Sequence, residues 1–466
     1  MDNKDSKLGL FALISLVIGS QIGGGGFNLA TDMASSANAG AIILGWIITG
    51  IGMISLVFSF HHISNKRPDL EGGIYSFAKA GFGSYMGFNS AWGYWLSVWL
   101  GNIAFLTLLF SAIGYFIPVF TGGNLSSVLG ASVFLWVLIL FVLRGVHEAA
   151  LVNIVVTIAK IIPIFLFIII AIFAFKWDTF TIDFWGGNTY HFSDVMKQMK
   201  GTMLVSLWVF TGVEGAVVLS SRARNKKDVG KATIIGLIST LTIYILISLL
   251  SLGVMTRQEL SGLKSPSMAY VLESIVGPWG AAFVNIGLML SLLGALLGWT
   301  LFAAEIPYLA GKDGTFPKIF AKENKHNVPK NSLVFTGILI QLFLLTLLVS
   351  EKPYRFAFSM ASSAILVPYL FSALYQVKYS WEHKQLGQMA IGLLASIYSV
   401  WILYAAGTGY LLLTAILYSL GIFVYLYAQK ELKQKPFKRF ELVWALIIVL
   451  LAIVAIYLLA VGKITI

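Results

Sequence analysis

The chain has no cysteine, and only 11% of its residues are charged. Without cysteine there are no disulfides and no thiolate metal sites. A soluble protein carries roughly 25% charged residues, so this shortage excludes an ordinary soluble enzyme or scaffold. Histidine is sparse as well. His61, His62, His147, His191, His326 and His383 show no metal-ligand spacing, and no metal or cofactor is expected. The glycine-rich stretches near 71–83 and 311–314 follow no strand, which removes a phosphate-loop reading. What remains is 58% hydrophobic. The expected fold class is an all-α integral membrane protein.

Apolar runs of about 20 residues mark about thirteen spans. They lie near 8–35, 39–63, 85–117, 124–143, 148–175, 196–220, 232–256, 278–309, 332–350, 356–378, 386–407, 409–429 and 442–461. The first run is too long and glycine-rich for a cleaved signal peptide.

The net charge of +12 would suggest nucleic acid in a soluble protein; here it is loop charge on one side of a membrane. With the N-terminus inside, the inside segments hold most of the cations. They include Lys4, Lys7, Lys66, Arg67, Arg222, Arg224, Lys312, Lys318 and the run Lys430, Lys433, Lys435, Lys438 and Arg439. The outside holds Lys176, Lys197, Lys200, Arg257, Lys264, Lys352, Arg355 and Lys463. That bias predicts a multi-pass cell-membrane protein with a cytoplasmic N-terminus and, after an odd number of spans, an outside C-terminus.

The first span is interrupted by GSQIGGGGF (19–27), with four consecutive glycines at Gly23, Gly24, Gly25 and Gly26. Lipid tolerates broken backbone only where the freed groups face protein or a water-filled cavity. The sixth span carries a second interruption, Phe-Thr-Gly-Val-Glu-Gly (210–215). Two broken spans five apart run in opposite directions, the pattern of a five-plus-five inverted repeat with substrate held between them. Packing glycines are common in membrane helices, but four in a row exceed what packing needs.

An amino acid fits such a pair of breaks. N–H groups around Gly23 to Gly26 suit a carboxylate, and carbonyls freed near the breaks, at Phe210 and Thr211 among others, suit an ammonium. Ser20 offers a hydroxyl, unless it makes an ordinary helix back-bond. A cationic side chain needs an aromatic face, and Trp208 stands two residues before the sixth-span break. Three charges lie away from span ends: Lys160, Glu214 and Glu305. Each is costly in hydrocarbon and so asks for a role.

Several stretches carry a resemblance. They are GSQIGGGGF, RPDLEGGIY (67–75), AKAGFG (78–83), WLGNIA (99–104), LWVFTGVEG (207–215) and GWTLFAAEIPYLAGKDGTFPKIFAKENK (298–325). Together they resemble the amino acid–polyamine–organocation superfamily, and within it the basic amino acid/polyamine antiporters, over roughly residues 8–430. The resemblance implies a leucine-transporter-like core and exchange of arginine for ornithine, as in the arginine deiminase pathway. It implies that Trp208 stacks on the bound side chain as a middle gate, that Trp299 serves an inner gate and that Tyr94 serves an outer one. Asn102 and Ser97 match substrate-contact positions. Glu214 matches a glutamate that takes unwound backbone or closes the outer side. Lys160 matches a lysine whose ammonium stands where sodium-coupled relatives bind the ion. Thr211 replaces what is often an apolar residue. Glu305 meets a cationic solute in passage or pairs with a loop lysine.

The implied organisation is a transporter domain over 1–429, with repeats near 8–175 and 196–378 and two further helices over 386–429. A basic linker and an extra thirteenth helix follow over 430–466. The expected partners are the lipid bilayer and small cationic amino acids, with no nucleic acid; a homodimer is allowed but required by nothing in the chain. Rival readings are an amino acid/amine exchanger (lysine–cadaverine, histidine–histamine or agmatine–putrescine) and a proton-coupled symporter. A membrane enzyme would need paired carboxylates, a nucleophile–base pair or a metal cluster within the spans, and none is evident. A channel would need several polar spans, whereas these are mostly apolar all round. The glycines in the loop after the second span suit a re-entrant or surface helix.

Overall fold

The computed structural model describes residues 8–70, 73–120, 122–145, 149–187, 191–218, 223–349 and 352–464. Lys4, Lys7, Glu71, Gly72, His147 and Arg222 lie outside the described residues. Among the described residues the chain is helical, apart from one isolated bridge between Leu8 and Ala223. Eleven helices are long and apolar enough to cross a membrane. The other two expected spans are also present as helices, one unbroken and one broken.

We number the spans in chain order. The first is split into α1a (Leu10–Gln21) and α1b (Gly25–Ala34). Then come α2 (Ala39–Lys66), α3 (Ser84–Phe116), α4 (Leu125–Leu143) and α5 (Ala149–Ala174). The sixth is split into α6a (Phe192–Phe210) and α6b (Gly215–Val218). The rest are α7 (Lys226–Val254), α8 (Pro278–Lys312), α9 (Lys330–Leu344), α10 (Pro353–Glu382), α11 (Leu386–Ala405), α12 (Thr408–Glu431) and α13 (Arg439–Ala460).

The broken spans run antiparallel. Leu8, before α1a, pairs with Ala223, beyond α6b, and the Arg224 N–H donates to the Leu8 carbonyl at 2.8 Å. At the opposite side the middle of α6a passes the end of α1b: a Cβ on Gly201 would stand 2.8 Å from that of Ser36. This is the inverted-repeat arrangement that the spacing of the breaks predicts. We call the side of Leu8 and Ala223 the near side and the side of Ser36 the far side.

Helices α3 and α10 form the buried centre. α13 lies at the periphery and turns Leu442, Val443, Leu446 and Leu450 outward, as a lipid-facing helix should. It is nonetheless tied to the centre. The Glu441 carboxylate accepts the Tyr85 N–H, at the start of α3, at 3.1 Å and the Lys438 N–H at 2.8 Å.

Two near-side loops are joined. The glycine-flanked helix expected after α2 forms over Ile74–Phe82, with Gly73 and Gly83 at positive φ of 64° and 101° at its ends. Rather than lying free on a surface, it buries Ile74, Tyr75 and Phe77 against α3 and α10. Its Lys79 pairs with Asp313, after α8, at 3.1 Å. On the far side, α1b is clamped by two short helices, Arg257–Gly262 and Ser267–Val276. The Ser267 N–H donates to Asn28 at 3.1 Å, Thr31 to the Leu260 carbonyl at 2.7 Å and Arg257 to the Ala34 carbonyl at 2.9 Å. The first of these helices has a capping box. The hydroxyl and N–H of Thr256 bond the Glu259 carboxylate and hold it below the usual carboxylate range.

Candidate functional site

The chain leaves the helix at Ile22 (ψ 69°) and re-enters it at Gly25, so the first break is short. Gly25 and Gly26 are already helical. The Gly23 N–H turns back to the Gln21 carbonyl at 2.7 Å, which removes it from the expected anion cradle. The N–H groups of Gly24, Gly25 and Gly26 make no such bond and stand at the positive end of α1b. The second break spans Thr211 to Glu214, where Gly212 takes a φ of +104° that L side chains rarely adopt.

One side chain joins the breaks. The Ser20 hydroxyl donates to Gly212 O at 2.8 Å and back to Val17 O at 3.0 Å, so it makes both the expected back-bond and a cross-link. The carbonyls freed by α1a, expected to be open for an ammonium, are instead taken by side chains. Lys160 reaches Gly19 O at 2.5 Å from α5. Trp299 reaches Ser20 O at 3.2 Å, and the Tyr244 hydroxyl reaches Gln21 O at 2.7 Å. Ser291 reaches Ile22 O at 3.1 Å and Gly23 O at 3.3 Å. A buried carbonyl left unmet costs about 1–3 kcal/mol, which explains why four side chains from three helices converge here. At the second break Phe210 O accepts the Val213 N–H at 3.1 Å. The Phe210 ring packs edge-on to Trp46 and to Tyr244. The Thr211 hydroxyl back-bonds to Leu207 O at 3.0 Å.

An aromatic cluster covers the first break. Trp208 packs with ring centroids 5.3 Å from Phe105, 5.6 Å from Trp299 and 6.0 Å from Phe358. Its indole N–H donates to the Tyr354 hydroxyl at 3.1 Å. The glycines are what let these rings approach. A Cβ on Gly25 would stand 2.9 Å from the Trp208 Nε1, and one on Gly23 would stand 2.8 Å from the Phe105 ring. On Gly24 it would stand 2.4 Å from Leu108, and on Gly26 2.8 Å from Tyr244. Gly101 admits Trp299 in the same way, at 2.2 Å.

Residues 94, 97, 101, 105 and 108 of α3 fall at helical spacing on one stripe. Phe105 and Leu108 meet the first break, Gly101 meets Trp299, and Ser97 and Tyr94 follow toward the near side. Both polar atoms of the Asn102 side chain and the Ser97 hydroxyl are buried without a hydrogen bond. Tyr94 is on the near side beside Glu214, its hydroxyl outside hydrogen-bond geometry. Glu214 precedes α6b, also on the near side, accepts the Gly212 N–H at 3.2 Å and takes the Tyr369 hydroxyl at 2.6 Å. It therefore does not close the far side. Glu305 is buried about 9 Å along α8 from Trp299, in the surroundings of Tyr75 and Lys312, and is not part of the aromatic cluster.

Sequence reasoning missed several partners. Phe105 was reachable, being three residues from Asn102 on the same face. Tyr244, Ser291, Tyr354, Phe358 and Tyr369 had no local signal, because each matters only through a contact far away in sequence. Asp32 was overlooked as a span-end residue, yet it is buried. Among the described residues no group of histidines and carboxylates is arranged to hold a metal.

The amino acid permease family model matches residues 8–417. An arginine/ornithine antiporter of Pseudomonas aeruginosa is 47% identical, covering 97% of both chains. One of Latilactobacillus sakei is also 47% identical, over 99% of this chain and 98% of its own. An arginine/agmatine antiporter of Chlamydia abortus is 43% identical, over 98% of each. A solved structure of MhsT in complex with L-phenylalanine superposes with a TM-score of 0.60 at 16% identity, covering 85% of this chain and 98% of that one, a likeness of fold. With its two inverted helix breaks cross-linked at Ser20, this multi-pass membrane protein belongs to the amino acid permease family.

Proposed function

We propose that this chain exchanges cationic amino acids by alternating access, arginine inward for ornithine outward, electroneutrally and without sodium. The observation that carries the reading is the pair of joined breaks, with unbonded glycine N–H groups at the start of α1b, where Gly25 lies against Trp208. Relatives at 47% identity over nearly the full length bear the name arginine/ornithine antiporter.

In this reading the N–H groups of Gly24, Gly25 and Gly26 bind the substrate carboxylate. Its ammonium competes for carbonyls of residues 19–23 that side chains now hold. The Trp208 face takes the cationic side chain, and Asn102 and Ser97 supply polar contacts that their buried groups lack at present. Trp299 backs the Trp208 ring. Lys160 supplies a fixed positive charge at the end of α1a in place of sodium. Tyr94, Glu214 and Tyr369 form the near-side closure, and Trp208 with Tyr354 the far-side one. Glu305 lines the near-side exit. The near side is cytoplasmic, residues 1–429 form the transporter domain, and 430–466 form the basic linker and extra helix.

Counterflow tests the reading. Proteoliposomes loaded with unlabelled ornithine should accumulate labelled arginine, and empty ones should not. No arginine uptake against internal ornithine overturns it; uptake driven only by internal agmatine moves the assignment to arginine–agmatine exchange. Uptake into empty vesicles under a pH gradient points to a symporter.

A further inference from the structure

One buried charge has no part in the site described so far. Asp32 is 5% exposed, on α1b. Seven residues separate it from Gly25, two helical turns or about 10 Å, so the two share one face of the helix. Gly25 faces Trp208, and Asp32 is therefore on the far-side approach to that ring. The surroundings agree: Tyr354, which receives the Trp208 N–H, lies within the electrostatic reach of Asp32.

The Asp32 carboxylate is half satisfied. Its Oδ1 accepts the Asn28 side-chain N–H at 3.0 Å. Its Oδ2 is buried and has no hydrogen-bond partner. Arg355, next to Tyr354, acts on Asp32 electrostatically but spends its guanidinium on Ser36 at 3.3 Å. Among the described residues the ion pairs are Arg67–Asp69 and Lys79–Asp313, so Asp32 and Arg355 are not joined. A carboxylate with a bare oxygen inside a membrane protein is expensive, and such a residue is a functional candidate by default. A purely structural Asp32 would close on Arg355, which is within electrostatic reach.

We propose that Asp32 is an entry subsite that takes the guanidinium or ammonium end of an arriving substrate side chain before the Trp208–Tyr354 contact opens. Arg355, held at Ser36, acts on the carboxylate at a distance and weakens its pull on an arriving cation. The inference rests on the reading that the transported solutes are cationic. It makes Asp32 a selector of charge on the far side, separate from the backbone groups that accept any amino acid.

The test is transport kinetics in proteoliposomes, with arginine or its neutral analogue citrulline offered on the far side. Asp32→Asn keeps the Asn28 contact and should raise the arginine KM about tenfold or more with kcat within about twofold. Inhibition by citrulline should not change. Asp32→Glu should recover most of the arginine affinity, and Arg355→Gln should lower the arginine KM. An unchanged arginine KM in Asp32→Asn overturns the subsite, as does an equal loss for arginine and citrulline. If Asp32→Asn does not fold, an unchanged KM in Arg355→Gln overturns it instead. If the wild type takes up no arginine at all, the cationic-substrate reading fails and the subsite with it; arginine uptake without the Asp32 effect defeats the subsite alone.

Discussion

At the scale of single residues, Trp208 does the most. Its ring covers Gly25, and its N–H is held by Tyr354. Replacement by leucine keeps apolar bulk but removes the cation–π face, worth about 0.5–2 kcal/mol. Trp208→Leu should therefore weaken arginine binding by roughly twofold to thirtyfold, measured by calorimetry in detergent or by the half-saturation of counterflow. An unchanged affinity would remove Trp208 from the pocket. This residue was legible in the sequence because it sits beside a break, and a break leaves a local mark. Tyr244 and Ser291 left none: a tyrosine or serine in a span is ordinary until the carbonyl it meets is known. Tyr94 was legible only in part. Its place on the α3 stripe follows from helical spacing, but which side of the molecule that end of α3 occupies relative to the breaks does not.

At the scale of elements, hydrophobic length gave some spans almost to the residue and others to within about two turns: 85–117 was expected for α3, which runs Ser84–Phe116, and 232–256 for α7, which runs Lys226–Val254. Where helices are long and apolar, composition alone sets their extent. The breaks were found for the opposite reason, since glycine runs are rare in such helices. What pattern could not reveal is that the first break is already filled. Its carbonyls are bonded from α5, α7 and α8. Separating α1a from α8 without a bound solute must give up the Trp299 and Ser291 bonds together, each worth about 1 kcal/mol net. A bound amino acid can replace them with its own ammonium, so the loaded carrier turns over more readily than the empty one. That difference is the physical content of exchange. Ser291→Ala should raise arginine uptake into vesicles with no internal substrate by about threefold to tenfold while counterflow persists. Uptake that stays at the wild-type level would show that Ser291 does not hold the empty state.

At the scale of the whole molecule, the two proposed closures stand on opposite sides of the joined breaks, Trp208 and Tyr354 on one, Tyr94, Glu214 and Tyr369 on the other. The near side also gathers the Lys79–Asp313 tie and the basic stretch before α13. Its cation excess is what supports the proposed cytoplasmic orientation. The chain lacks cysteine, so a single cysteine at Asn3 or at Lys463 can be labelled without background. An impermeant maleimide applied to intact cells should react at 463 and spare 3; the reverse pattern would invert the orientation and with it the direction of import. One contact reaches across the whole chain. Glu441 closes the first turn of α3 by taking the Tyr85 N–H. Synthesis delivers α3 long before Glu441, so every nascent chain carries that turn uncapped until α13 has left the ribosome. The central helix of the carrier is thus completed by its outermost one, and a chain cut short before residue 441 would carry the defect in its middle.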